Sequence, residues 1–124
     1  MYADVDFWLG LLKDDDWLKA RAEQLLDQYK GDLTVSLATF IELFLVEDQF
    51  AFDRERAVVA ILELAQPDST VDENVVFQAS EYIDEGLTVF DAFHAALAGD
   101  AIISSDGRAY DHLDLERVAL EPDG

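Results

Sequence analysis

The chain has no cysteine, three lysines, two prolines and a single methionine among its 124 residues. Without cysteine, a disulfide framework and a thiolate metal site are excluded. No apolar run approaches the roughly 20 residues that a membrane helix needs. The opening residues carry no basic segment leading into an apolar stretch, so no secretory signal is visible and a soluble cytoplasmic protein is expected. Scarcest of all is positive charge: eight basic residues face 28 acidic ones, for a formal net charge of −20. A surface of that sign repels phosphate backbones at ordinary salt. Either the partner is not a nucleic acid, or the protein works where salt screens the repulsion; at molar salt the Debye length falls to about 3 Å. This many carboxylates with this few lysines match the solvated surface of a halophile's protein, and a halophilic archaeon is the expected source.

Hydrophobic residues make up 51% of the chain, too many for a disordered acidic tail. A chain of this length is expected to form one domain, residues 1–124, around one sizeable core. Short apolar runs alternate with longer helical stretches. Residues 2–5 read as a first strand, and Asp6 as the cap of a short helix reaching Leu12. Asp14, Asp15 and Asp16 stand where a helix N-terminus favours negative charge. In the helix they open, Leu18, Ala22, Leu25 and Tyr29 recur at helical spacing, and Gly31 can end it. Residues 33–36 give a second strand. Helices follow over residues 37–49 and 53–66, the latter stopped by Pro67, with a brief strand at 69–71. Asp72 caps the next helix, which closes near Gly86. Another runs over 89–98 and ends at Gly99. Residues 101–104 are rich in β-formers, Asp106-Gly107 is a turn signal, and 115–120 form a last strand.

Strands separated by one or two helices need crossover connections. The expected architecture is therefore α/β, a three-layer sandwich with a mostly parallel central sheet flanked by helices. Ligands gather outside the carboxyl ends of such strands.

In a chain this acidic, most carboxylates are solvated surface groups. Four stand apart by position. Asp4 lies inside the first apolar run, where strand meets helix. Its structural alternative is a helix cap, but Asp6 is better placed for that. Glu42 interrupts the run Phe40-Ile41-Glu42-Leu43-Phe44-Leu45-Val46, a helix apolar nearly all round, as buried helices are. A lone ionised carboxylate there is costly unless it is paired, bound to metal or set on a wet stripe. Asp91 follows Thr88 by three residues, a spacing that also suits a capping box. Asp106 follows Ile102-Ile103-Ser104-Ser105 and precedes Gly107; an Asp-Gly turn needs no function, but this strand also ends at the sheet edge where Asp4 is expected. Two unit charges 4 Å apart repel by about 4 kcal/mol at an effective dielectric of 20, so several converging carboxylates call for a cation or protons. Oxygen ligands without cysteine favour Mg²⁺ or Mn²⁺ over zinc. Phosphodiester hydrolysis is the natural reaction class.

Taken in order, these features resemble a PIN domain across residues 2–120. Tyr2-Ala3-Asp4-Val5-Asp6-Phe7-Trp8-Leu9 resembles the family's first-strand motif. Glu42 matches its glutamate early in the helix after the second strand. Asp91-Ala92-Phe93-His94-Ala95-Ala96-Leu97-Ala98 resembles the third acidic motif, and Ile102-Ile103-Ser104-Ser105-Asp106 the fourth. The resemblance implies a metal-dependent ribonuclease of the VapC toxin type. Such a protein cuts RNA, forms a homodimer and is neutralised by a cognate antitoxin whose tail fills the active-site groove. It further implies that Asp4, Asp91 and Asp106 are catalytic metal ligands, with Glu42 a ligand or a group orienting bound water. Ser104 stands where the family often has threonine and would hydrogen-bond within the cluster. Asp6, where Asn, Ser or Thr is usual, either assists the metal or caps the helix. Asp111 offers a further outer contact; His94 reads as a packed or surface histidine rather than a catalytic one, Arg108 either touches phosphate near Asp106 or faces solvent, and Trp8 and Trp17 read as core rather than as base-stacking platforms.

A rival reading takes the Asp-x-Asp after the first strand as a haloacid-dehalogenase-like phosphatase, with Asp4 as nucleophile. That chemistry needs a later lysine, and none follows Lys30. The non-enzymatic rival is a PIN-like binding module, against which all four acidic positions are filled. Phe44, Phe50 and Phe52, on the apolar hairpin of residues 37–66, are expected either to bury a dimer or antitoxin contact or to complete the core.

Overall fold

Tyr2 and Ala3 form the central strand of a parallel sheet, and their side chains divide the core between its two faces. The computed structural model describes residues 1–50, 52–68 and 72–122. In chain order the elements are β1 (Tyr2–Ala3), α1 (Val5–Leu12), α2 (Lys19–Gln28), β2 (Thr34–Val35), α3 (Leu37–Leu45), α4 (Glu47–Phe50), α5 (Arg54–Leu64), β3 (Gln66–Pro67), α6 (Glu73–Asp84), α7 (Val89–Ala98), β4 (Ala101–Ser104), α8 (Gly107–Tyr110) and β5 (Glu116–Ala119). The sheet order is β3-β2-β1-β4-β5, every pair parallel. The expected α/β sandwich is the fold observed.

Alternation along the strands builds the layers. Ala3, Val35 and Ile103 face a core with Phe7 and Trp8 of α1, Ala22 and Leu25 of α2, Leu43 of α3 and Ile61 of α5. Tyr2 and Ile102 face the other, with Ala79 of α6, Ala92 and Ala95 of α7, and Tyr110. Each fully buried Leu or Ile contributes roughly 1.5–3 kcal/mol, which holds strands as short as two residues in register.

Helix starts follow the short polar residues that precede them. Asp53, Asp72 and Thr88 accept hydrogen bonds from Arg56, Asn74 and Asp91 N–H and cap α5, α6 and α7. Gly31, Gly86 and Gly99 all take positive φ after helices, where a Cβ is unfavourable.

Several boundaries differ from expectation. The first helix begins at Val5, capped by Asp4 rather than Asp6. Asp14–Asp16 do not open the second helix: Asp16 accepts from Leu18 N–H in a turn, and α2 starts at Lys19. That turn points Trp17 outward, 68% exposed, so it is not core. The helix expected over 37–49 divides at Val46 into α3 and α4. Although apolar nearly all round, α3 buries only Thr39 and Leu43; Phe40 packs partly against the core, while Leu37, Ile41, Phe44 and Leu45 stay exposed. The helix before Pro67 stops at Leu64, and Gln66–Pro67 is itself the edge strand. Gln66 and Asp68 donate to Leu33 and Val35 carbonyls, so the missing N–H of Pro67 falls on the unpaired side, as edge strands permit. The strand expected at residues 69–71 lies outside the described residues.

Candidate metal centre

The chain runs outward from β1 to β2 and β3, then crosses back to lay β4 on the other side of β1. The reversal leaves a crevice beyond the carboxyl ends of β1 and β4, the position where open α/β sheets bind ligands. Register sets Ala3 beside Ile103, which places Asp4 opposite Ser104. A cleft of about 460 Å³ opens there, lined by Asp4, Asp6, Glu42, Asp91, Ser105 and Asp106 together with the apolar Leu9, Val46 and Phe50. All four carboxylates singled out in the sequence line this cleft, and Asp6 joins them.

Each carboxylate is held by its own local structure. Asp4 is 8% exposed; its Oδ1 accepts from Val5 N–H at 2.9 Å and its Oδ2 from the Ser104 hydroxyl at 2.8 Å. Burial, then the neighbouring Asp6 charge, push its pKa up to about 7, against the opposing pull of His94, Ser104 and Val5 N–H. Ser104, fully buried at the end of β4, also accepts from Asp106 N–H at 3.0 Å. Asp106 caps α8 by accepting from Ala109 N–H at 3.1 Å, so the expected Asp-Gly turn is the start of a helical turn. Asp91 sits in the first turn of α7 and accepts from the Tyr110 hydroxyl at 3.3 Å. Burial raises its pKa, and the charges of Asp106 and Glu42 add to the effect.

Asp6 is not the helix cap but a cleft residue. Its Oδ2 accepts from the backbone N–H of Ser105 at 2.9 Å and from the Ser105 hydroxyl, tying α1 to the end of β4. Its other oxygen is buried with no hydrogen-bond partner among the described residues, and burial raises its pKa. A buried acceptor without a partner beside other carboxylates is a group that a proton or a cation would satisfy.

His94 is the residue that sequence reasoning undervalued. It is fully buried on α7, its Nε2 donates to Glu42 Oε1 at 2.8 Å, and its Nδ1 lies 2.6 Å from the Tyr2 hydroxyl. Burial disfavours its protonation, but the hydrogen bond to Glu42 and the charges of Asp4, Glu42 and Asp91 prevail and raise its pKa. One donor atom each from Asp4, Glu42 and His94 falls within 4.8 Å of the others. The available signal was position: His94 lies one helical turn beyond Asp91 and faces the same way. Asp111 instead pairs with Arg117 at 2.7 Å, and Arg108 is exposed.

The donor set is predominantly carboxylate oxygen, and it fits a hard divalent cation. A second hollow of about 450 Å³, lined by Glu23, Leu26, Asp27, Lys30 and Glu63 among others, lies by the opposite ends of the strands and has none of the cleft's carboxylates. Among the described residues, no helix is long and apolar enough to cross a membrane.

Comparison with solved structures finds the same fold at low sequence identity. A toxin–antitoxin complex from Klebsiella pneumoniae matches with a TM-score of 0.76 at 17% identity, covering 98% of this chain and 98% of that one. VapBC-1 from nontypeable Haemophilus influenzae matches with a TM-score of 0.67 at 17% identity, covering 96% of each chain. Among curated proteins, sequence comparison finds no match. The profile of the PIN domain family, however, matches residues 1–114, and the chain belongs to that family.

Proposed function

We propose that this chain is a metal-dependent endoribonuclease of the VapC type, the toxin of a toxin–antitoxin pair, acting as a single domain in the cytoplasm. The observation that carries the reading is the gathering of Asp4, Asp6, Glu42, Asp91 and Asp106 around one cleft at the strand-order reversal. Asp4, Glu42, Asp91 and Asp106 would hold Mg²⁺ or Mn²⁺, whose oxygen preference suits them. The chemistry such an ion supplies is activation of water near neutral pH and compensation of charge on a phosphodiester. Ser104 and Val5 N–H fix Asp4, the Tyr110 hydroxyl fixes Asp91, and Ser105 fixes Asp6. Both similar solved structures are toxin–antitoxin complexes, which supports a cognate antitoxin as partner. The net charge of −20 supports the further reading that RNA is engaged at high ionic strength, as in a halophilic source.

Asp91→Asn tests the reading, because the amide keeps the Tyr110 contact while removing a charge. The variant is expected to retain the fold by circular dichroism and to lose Mn²⁺-dependent RNA cleavage by at least about 100-fold, in line with removal of a charged group from a reaction centre. Cleavage is measured at both low and molar salt. Undiminished cleavage in excess chelator, or full activity in the variant, rejects the mechanism.

A further inference from the structure

His94 does not line the carboxylate cleft, whereas Glu42 does. Both of its ring nitrogens are nonetheless engaged. Nε2 lies 2.8 Å from Glu42 Oε1 and Nδ1 lies 2.6 Å from the Tyr2 hydroxyl. That hydroxyl is in turn 2.7 Å from Ser36 Oγ and 3.3 Å from Thr39 Oγ1. Tyr2, Ser36, Thr39 and His94 are all buried. A continuous polar chain therefore starts at the head of α3, passes through the central strand to α7, and returns to α3 at Glu42. Fully satisfied buried networks of this kind impose one geometry, since any displaced member leaves a partner unpaired.

Glu42 needs such a restraint. Its side chain has three rotatable torsions and is 25% exposed, on a helix whose neighbouring Ile41 and Phe44 are 47% and 45% exposed. Among the described residues, no donor other than His94 reaches its carboxylate. An ionised carboxylate only accepts, so the proton on this bond belongs to Nε2. With its proton directed at Glu42, Nε2 has no lone pair for an ion, although it lies 4.0 Å from Asp4 Oδ1.

We propose that His94 is a positioning residue: braced by Tyr2 and Ser36, its Nε2–H holds the Glu42 carboxylate turned into the cleft, so that ion binding depends on a side chain touching neither ion nor RNA. This role rests on the ribonuclease reading for what Glu42 does, but not for the hydrogen bond itself.

Two substitutions separate positioning from mere packing. His94→Gln can carry an N–H to the place of Nε2. His94→Asn can still meet Tyr2 but falls short of Glu42. Mn²⁺ binding is read by calorimetry, RNA cleavage as separate kcat and KM, and folding by thermal melts. Loss of an outer hydrogen-bond partner of a ligand costs 10–100-fold in metal affinity or activity. His94→Asn is expected to lose about that much Mn²⁺ affinity and kcat, with KM for RNA little changed, and His94→Gln to recover most of both. In the unsubstituted metal-free protein, nitrogen-15 spectra of the imidazole are expected to show a protonated Nε2 whose resonance moves in Glu42→Gln.

An unprotonated Nε2 overturns the proposal, as does a His94→Asn protein that binds Mn²⁺ and cleaves RNA as the unsubstituted protein does. Equal losses in the Asn and Gln variants, tracking their melting temperatures, also overturn it in favour of packing. Should the unsubstituted protein neither bind Mn²⁺ nor cleave RNA, the ribonuclease reading fails first and the positioning role with it, a result distinct from failure of the variants alone.

Discussion

Asp4→Asn should stabilise the metal-free protein at neutral pH while removing a proposed ligand from its cleft. Burial and the adjacent Asp6 carboxylate move the Asp4 pKa from 3.8 to about 7. At 1.36 kcal/mol per pH unit, this shift of about three units corresponds to roughly 4 kcal/mol. Because the native value lies above the unfolded one, the contribution favours the fold below about pH 4 and is lost as pH rises through about 7. At pH 8 the ionised side chain therefore opposes folding by about 4 kcal/mol. Asparagine imitates the protonated acid. It is as good an N-cap as aspartate, so Val5 N–H keeps its acceptor, and the loss of the charge-assisted bond from Ser104 offsets about 1 kcal/mol. A net gain of about 2–3 kcal/mol at pH 8, shrinking toward zero near pH 4, is expected in urea denaturation with chelator present. Added Mn²⁺ should reverse the order by stabilising only the unsubstituted protein. A variant no more stable at pH 8, or a difference independent of pH, refutes the argument that burying the Asp4 charge, with Asp6 beside it, opposes folding.

Ser104→Ala removes a buried hydroxyl that both donates to Asp4 and accepts from Asp106 N–H, and a stability loss of about 2–3 kcal/mol is expected in thermal unfolding; a loss under about 0.5 kcal/mol contradicts the bridging role. Leu37, Ile41, Phe44 and Leu45 leave one stripe of α3 69%, 47%, 45% and 67% exposed; if the homodimer implied by the family resemblance forms through this stripe, light scattering should show a dimer for the unsubstituted protein and a monomer for Phe44→Glu. A monomer at every concentration of the unsubstituted protein contradicts the expected dimer.

Much of this was legible in the sequence, for identifiable reasons. The strands near Tyr2, Val35 and Ile103 were visible because apolar β-formers are bounded by Asp, Ser and Gly. The four carboxylates were visible because each breaks an apolar run or ends a strand, which is costly without a purpose. Asp4 takes the cap expected of Asp6 while also lining the cleft, which Asp6 joins. Spacing alone ranks Asp6 as the cap, but β1 ends at Ala3 where Asp4 N–H donates to Ile103 O, so the helix begins two residues sooner. The fate of Trp17 depended on a turn after Asp16 that periodicity does not reveal. Phe52 packs against the core, Phe50 lines the cleft and Phe44 is exposed; three phenylalanines of one hairpin thus have three different surroundings. His94 was obscured because its meaning lies in partners 92 and 52 residues away, and a histidine on an apolar helix face ordinarily signals packing alone.

The lateral placement of β4 against β1 has a temporal side. Asp4 and Ser104 are 100 residues apart in the chain, and closing so long a loop precedes any reward from the contact. During vectorial synthesis, Asp4, Glu42 and Asp91 emerge first but have no floor to converge upon until Ala101–Ser104 slides in beside the central strand. A nascent chain must therefore reach β4 before the carboxylate cleft can be complete.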